Sequence, residues 1–134
     1  MREPFGSIGL LVLRLGAAGL LLYAHGWGKL TGFSAKAATF SDPLHVGSKT
    51  SLALAVFAEV FCAAAVILGI GTRFAAAAIA FMLLVAAFVV HADDPFAKQE
   101  FALVYAVSFV TLALTGGGRY ALERHLGVFR KRGG

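Results

Sequence analysis

The stretch IGLLVLRLGAAGLLLYAHGWGKL, residues 8–30, indicates the class of protein to which this chain belongs. It predicts a helix over about residues 6–30, which is long enough at about 1.5 Å per residue to cross about 30 Å of hydrocarbon. Three basic side chains, Arg14, His25 and Lys29, interrupt its apolar run. A cleaved signal peptide would have a shorter apolar region and a small-residue cleavage site, so we expect this helix to be retained.

Three more apolar stretches of similar length follow, and polar or glycine-rich connections separate them. They predict membrane-spanning helices at about residues 50–70, 73–91 and 99–116. Asp-Pro pairs and clustered glycines, which are turn signals, stand between the stretches. We therefore predict an all-α fold. It would be a single four-helix membrane domain over residues 1–134, with a basic tail at 117–134.

The composition argues against a soluble domain and against nucleic-acid binding. Hydrophobic residues make up 59% of the chain and charged residues only 14%, and a small soluble domain could not hide so much apolar surface. The net charge of +5 comes from basic residues at span edges and in the tail, a placement that is typical of membrane topology. The lone Cys62 excludes a disulfide framework and a CxxC redox pair within the chain.

The distribution of basic residues predicts the orientation. With both termini in the cytoplasm, that side carries Arg2, Arg73, Arg119, Arg124, Arg130, Lys131 and Arg132, and the opposite side carries Lys29, Lys36, Lys49 and Lys98. Most of the acidic loop residues then lie on the outer side, which agrees with the bias. We expect both termini to be cytoplasmic and the two longer loops to face outward.

Ionisable residues within apolar spans are costly and are functional candidates by default. Glu59 lies near the middle of the second span and requires a cation or a proton. Arg14 lies at a similar depth when about 1.5 Å per residue is counted from the cytoplasmic side. We therefore predict an Arg14–Glu59 ion pair between the first two helices. Such a pair either supports activity or only specifies helix packing.

A second group of ionisable residues is predicted at the outer end of the bundle. His25 and His91 each lie about eighteen residues into an outward-running helix, which places them at the same height. Lys29 and Glu100 lie slightly higher, and Tyr105 begins a polar stripe on the fourth helix. Together these residues suggest a polar pocket that opens on the outer face. Two histidines there suit hydrogen bonding to a quinone carbonyl and proton relay. A metal site needs a third ligand, so we predict none.

Taken together, these segments resemble the DoxX family of small membrane proteins. The resemblance rests on LRLGAAGLLLYAHGWGKL (13–30), Glu59, LGIGTR (68–73), His91, KQEFALVYA (98–106) and LTGGGRYALER (114–124). One departure is Glu123, where the family pattern leads us to expect aspartate. The pattern carries over Arg14, His25, Lys29, Glu59, Arg73, His91 and Glu100.

What the family resemblance implies is a four-helix bundle in a bacterial inner membrane with a link to quinone redox chemistry. The related DoxD subunit belongs to a thiosulfate:quinone oxidoreductase. Within the outer pocket predicted from the residues, His25, His91 and Glu59 are the expected catalytic residues. Quinone or a small anionic sulfur substrate would contact His25, Lys29, His91, Glu100 and Tyr105. Any such activity is expected to require another subunit.

Two other functions remain open from the sequence. The chain could be a non-catalytic membrane partner or assembly factor of a redox or stress-response complex, either with a partner subunit or as a homo-oligomer. It could also handle a metal ion or another small solute in the same polar pocket.

Overall fold

The computed structural model describes residues 4–125, and all regular structure in that part of the chain is helical. Four long helices are present: α1 (Phe5–Thr31), α2 (Ser48–Leu68), α3 (Thr72–Val90) and α4 (Phe96–Thr115). Each is long and apolar enough to cross a membrane. The prediction of an all-α protein with four such helices is therefore confirmed. The largest difference in bounds is at the start of α4, at Phe96 rather than residue 99.

The orientation of the termini stays a prediction, and part of the basic tail (126–134) lies outside the described residues. The start of the tail, by contrast, is packed onto the turn between α2 and α3. Gly69 has a positive φ of 81° at this turn, and a Cβ built on it would lie 2.5 Å from the Ala121 Cβ. Only glycine accommodates both the left-handed backbone and this close approach. Glu123 then accepts a hydrogen bond from the Thr72 amide, which caps the start of α3.

Three of the four long helices contain π-helical turns, in which the hydrogen bonds run from residue i to i+5. These turns are Arg14–Ala18 and Leu22–Gly26 in α1, Phe57–Cys62 in α2 and Ala86–Val90 in α3. A π turn holds an additional residue and so shifts every later side chain around the helix axis, by up to about 100°. The turns contain Arg14, His25 and Glu59, and His91 follows directly after the last of them.

Small residues dominate the packing between the helices, as is common in membrane bundles. Fully buried alanines occur on every long helix, among them Ala18, Ala63, Ala76 and Ala102. α1 comes very close to α2 at Gly26, where a Cβ would lie only 2.5 Å from the Glu59 carbonyl oxygen. This close approach brings the last turns of α1 against the middle of α2.

Candidate functional site

A cavity of about 440 Å³ lies among the four helices and beneath the loop that joins α1 to α2. Its ionisable lining residues are His25, Lys29, Glu59 and His91. The rest of the lining is mainly apolar and includes Phe40, Leu44, Leu54, Phe57, Phe81, Met82, Val85, Val90 and Phe101. The structure thus brings both predicted histidines together with Lys29 and Glu59 at one cavity. These four polar side chains are surrounded by mainly apolar walls.

Glu59 is paired with Lys29, and the predicted Arg14–Glu59 pair is wrong. The Lys29 Nζ lies 2.7 Å from the Glu59 Oε1, and the side chains of the two residues are 21% and 7% exposed. Lys29 also lies 3.5 Å from the carbonyl oxygen of His25. The close approach at Gly26 explains the pairing, because Lys29 is three residues further along the same helix.

Arg14 binds backbone carbonyls instead of a carboxylate. Its Nε donates to the Val66 carbonyl at 3.0 Å and its Nη2 to the Ile67 carbonyl at 2.8 Å. These carbonyls belong to the last turn of α2, which leaves its final oxygens without partners inside the helix. Arg14 therefore satisfies the C-terminal end of α2, where a positive charge is favourable. The residue count placed Arg14 level with Glu59, whereas Arg14 lies beside Val66 and Ile67, about 10–12 Å further along α2.

Phe101 lies against both histidines of the cavity. Its ring is stacked on the His25 imidazole at 5.3 Å between centroids and 8° between planes. The His91 ring is 6.2 Å from it, edge to face. Phe101 is not among the site residues predicted from the sequence. Its position next to Glu100, at the level of the two histidines, could have indicated a role in the site. However, apolar residues at that level are common in any membrane helix.

His91 has a carboxylate partner, Asp94, which was not predicted from the sequence. Its Nδ1 lies 2.7 Å from the Asp94 Oδ2, and the Gln99 amide donates to the His91 carbonyl oxygen at 3.0 Å. A carboxylate next to Nδ1 favours the tautomer that carries its proton on Nδ1. The Nε2 of a neutral His91 is then an acceptor.

Two of the predicted pocket residues lie elsewhere. Glu100 does not line the cavity but a separate groove between α1 and α4. Tyr105 lines that same groove, although its ring also meets His25 edge-on at 5.8 Å. Successive residues of a helix lie about 100° apart around its axis, so residues 100 and 101 point to neighbouring faces of α4. Glu100 therefore faces the groove and not the cavity.

Among residues 4–125, no group of three or more His, Cys, Asp and Glu side chains is placed to hold a metal ion. His25 and His91 both contact Phe101, so an aromatic ring lies against each of the two possible nitrogen ligands. The geometry therefore gives no support to the metal-handling hypothesis.

The loop over the cavity is held in place by Asp42. Its carboxylate accepts hydrogen bonds from the Val46 and Gly47 amides at 2.9 and 2.8 Å and from the Ser51 hydroxyl at 2.8 Å. The bond from Ser51, followed by those from the two amides, lowers the pKa of Asp42 below its ordinary value of 3.8. Ser51 itself lines the cavity, so Asp42 connects the covering loop to the wall.

The sequence model of the DoxX family matches residues 9–92, which is more than half of the chain. The match includes Arg14, His25, Lys29, Glu59 and His91, whereas Glu100 and Tyr105 lie beyond it. No curated protein and no solved structure matches the chain. With the four long apolar helices, this match confirms the resemblance seen in the sequence: the chain is a multi-pass membrane protein and belongs to the DoxX family.

Proposed function

We propose that this protein is the membrane subunit of a quinone-linked redox system in a bacterial inner membrane and binds the quinone ring in the cavity. The observation that carries the proposal is the lining. Two histidines and a Lys–Glu pair meet at one cavity of about 440 Å³ whose other walls are largely apolar. A quinone combines a flat apolar ring with two carbonyl acceptors, so it matches both parts of this lining.

The polar residues have distinct tasks in this proposal. His25 and Lys29 are the donors offered to a quinone carbonyl, and Glu59 holds Lys29 in place through their 2.7 Å contact. His91, whose Nδ1 proton is engaged by Asp94, presents Nε2 for proton exchange. Phe101 and the other aromatic side chains supply faces on which a ring packs.

When bound, a quinone takes up two electrons and two protons to become a quinol. His25 and His91 are the groups proposed to pass the protons. The electrons are proposed to come through a partner subunit from a reduced sulfur anion of the thiosulfate class, which gives up electrons when two such ions join through a new S–S bond.

The charge of the cavity favours quinone over the sulfur anion as the occupant. An unpaired Lys29 would have made the cavity attractive to anions, but Glu59 compensates its charge. Placing an anion beside the buried carboxylate would cost electrostatic energy, whereas a neutral quinone avoids this cost. We therefore place the sulfur chemistry on the partner subunit and the quinone in this chain.

Binding of a water-soluble, tail-less quinone to the purified protein in lipid nanodiscs tests the proposal. The His25→Ala/His91→Ala variant should bind it about tenfold more weakly or worse, since it loses hydrogen bonds and packing. His45→Asn is the matched control, because His45 is exposed, does not line the cavity and has a positive φ of 57° that asparagine tolerates. Equal affinity of the double variant and the wild type would sink the proposal.

A further inference from the structure

A second concave feature, the groove between α1 and α4, extends from the wall of the cavity. It encloses about 610 Å³ and is more open than the cavity. Its lining from α1 is Val12, Leu13, Gly16, Ala17 and Leu20, and its lining from α4 is Ala97, Glu100, Phe101, Val104, Tyr105 and Ser108. Phe101 belongs to the lining of the groove and to that of the cavity, so the two features adjoin.

Two aromatic side chains of α4 lie between the groove and His25 of the cavity. Phe101 lines both spaces and stacks on the imidazole of His25. Tyr105 lines the groove and meets the same imidazole edge-on. We call Phe101 and Tyr105 the aromatic wall. Phe101 is 41% exposed, so its side chain is not held in place by complete burial.

We infer that the groove holds the apolar tail of a lipid-soluble quinone whose ring occupies the cavity, with the tail passing the aromatic wall. The inference rests on the proposed function and specifies its substrate class, a ring that carries a long hydrocarbon chain of the polyisoprenoid type. Three observations favour this occupant. The groove adjoins the cavity, its floor is apolar, and it runs along α1 for about 12 Å between Val12 and Leu20, counted at 1.5 Å per residue.

The polar groups of the groove do not oppose an apolar tail. Ser108 donates its hydroxyl proton to the Val104 carbonyl oxygen of its own helix. Glu100 is exposed and lies near the start of α4, and the apolar floor extends away from it. Gly16 leaves the floor open, since a Cβ built there would meet no atom within 4 Å.

Filling the groove floor tests this inference. Gly16→Leu adds a side chain where there is open space, so we expect it to fold and to obstruct the tail. Gly19→Leu is the matched control, because a Cβ on Gly19 also meets nothing within 4 Å but Gly19 does not line the groove. Binding of a long-tailed and a tail-less quinone would be measured for wild type and both variants in nanodiscs. Gly16→Leu should weaken only the tailed quinone, by about three- to tenfold, because its tail also has lipid as an alternative environment.

A tailed quinone with a photoreactive diazirine near the ring end of its tail provides an independent readout. Cross-links should fall on the groove residues of α1 and α4, and an excess of unlabelled tailed quinone should remove them. The inference would be overturned if the tailed quinone bound Gly16→Leu and wild type with equal affinity while the tail-less quinone also bound both. The proposed function would then still stand. Failure of the tail-less quinone to bind wild type would instead remove the proposed function and the inference with it.

Two other occupants of the groove are outcomes of the same test. If a diazirine-labelled phospholipid cross-links to the groove and is not displaced by the tailed quinone, the groove is a lipid site and the inference is wrong. The inference is also wrong if Gly16→Leu changes the oligomeric mass in native mass spectrometry, because the groove would then be an interface between copies of the chain.

Discussion

The membrane-embedded charges of this protein are compensated in two chemically different ways. Glu59 is neutralised by Lys29 across the α1–α2 contact. Arg14, which is 2% exposed, is compensated by two carbonyl dipoles at the end of α2. One of its nitrogens, Nη1, is buried with no hydrogen-bond partner in the described part of the chain. Because Arg14 and Glu59 use separate partners, their substitutions should have nearly additive effects on stability.

Lys29→Met should destabilise the fold strongly because it leaves the buried Glu59 carboxylate without a cation. We expect a loss of about 3–5 kcal/mol in the free energy of unfolding, as for other broken buried pairs. Lys29→Met/Glu59→Leu should recover much of it by removing both charges. The measurement is unfolding by titration with a denaturing detergent, and Lys49→Met, at an exposed lysine, is the control.

The same titration distinguishes the observed pairing from the one expected from sequence. A double-mutant cycle of Lys29 with Glu59 should give a large coupling energy, and a cycle of Arg14 with Glu59 a small one. The reverse pattern would contradict the site geometry described above.

At the scale of helices, the π turns and one glycine determine which residues meet. The turns Arg14–Ala18 and Leu22–Gly26 shift the phase of α1, so that His25 and Lys29 face the cavity while Arg14 faces the end of α2. Gly26 then lets α1 approach the backbone of α2 at Glu59. The π turns change the direction in which side chains of α1 point, and Gly26 changes the distance between α1 and α2. Both determine which side chains pair, as the identity of the side chains does.

Gly26→Ala should therefore separate α1 from α2 at the level of the Lys29–Glu59 pair. Its Cβ would lie 2.5 Å from the Glu59 carbonyl oxygen, a backbone atom that cannot move away alone. We expect a loss of about 1–3 kcal/mol in the free energy of unfolding together with weaker quinone binding. Gly28→Ala is the control two residues away, where the nearest atom to a Cβ is the flexible Lys36 Nζ at 4.0 Å. Similar stabilities of the two variants would show that the contact at Gly26 is not close.

At the scale of the whole molecule, the four helices and the loop between α1 and α2 enclose the cavity together. Phe40, Pro43 and Leu44 of the loop contribute to its lining, and Asp42 attaches the loop to the first turn of α2. The helices provide His25, Lys29 and Glu59, and the turn after α3 provides His91.

Protonation of Asp42 should release the loop. Because its pKa is lowered in the folded protein, its contacts stabilise the loop above the ordinary pKa of 3.8 and are lost as the pH falls through the lower folded value. Amide hydrogen exchange across residues 42–51 should therefore show loss of protection in acid, after correction for the intrinsic pH dependence of exchange. Asp42→Asn should show reduced protection already at neutral pH, and Asp93→Asn in the α3–α4 turn should not. Unchanged protection in Asp42→Asn would rule out this role of the carboxylate.

The four helices and the family could be predicted from sequence because they depend on local properties. Apolar runs of about 20 residues have one stable arrangement in a bilayer, and glycines and prolines mark their ends. The shared level of His25 and His91 was also predictable, since height along a helix depends mainly on residue count. Both histidines do line one cavity.

Which residues meet across helices could not be read from residue counts. Arg14 lies beside Val66 and Ile67 rather than at the level of Glu59, and the approach of α1 at Gly26 brings Lys29 to Glu59 instead. Likewise, Glu100 and Phe101 are neighbours in sequence, yet only Phe101 lines the cavity with the histidines. The rise per residue gives a position along one helix, whereas contact between helices depends on their relative shift, rotation and distance, which the packed bundle sets as a whole.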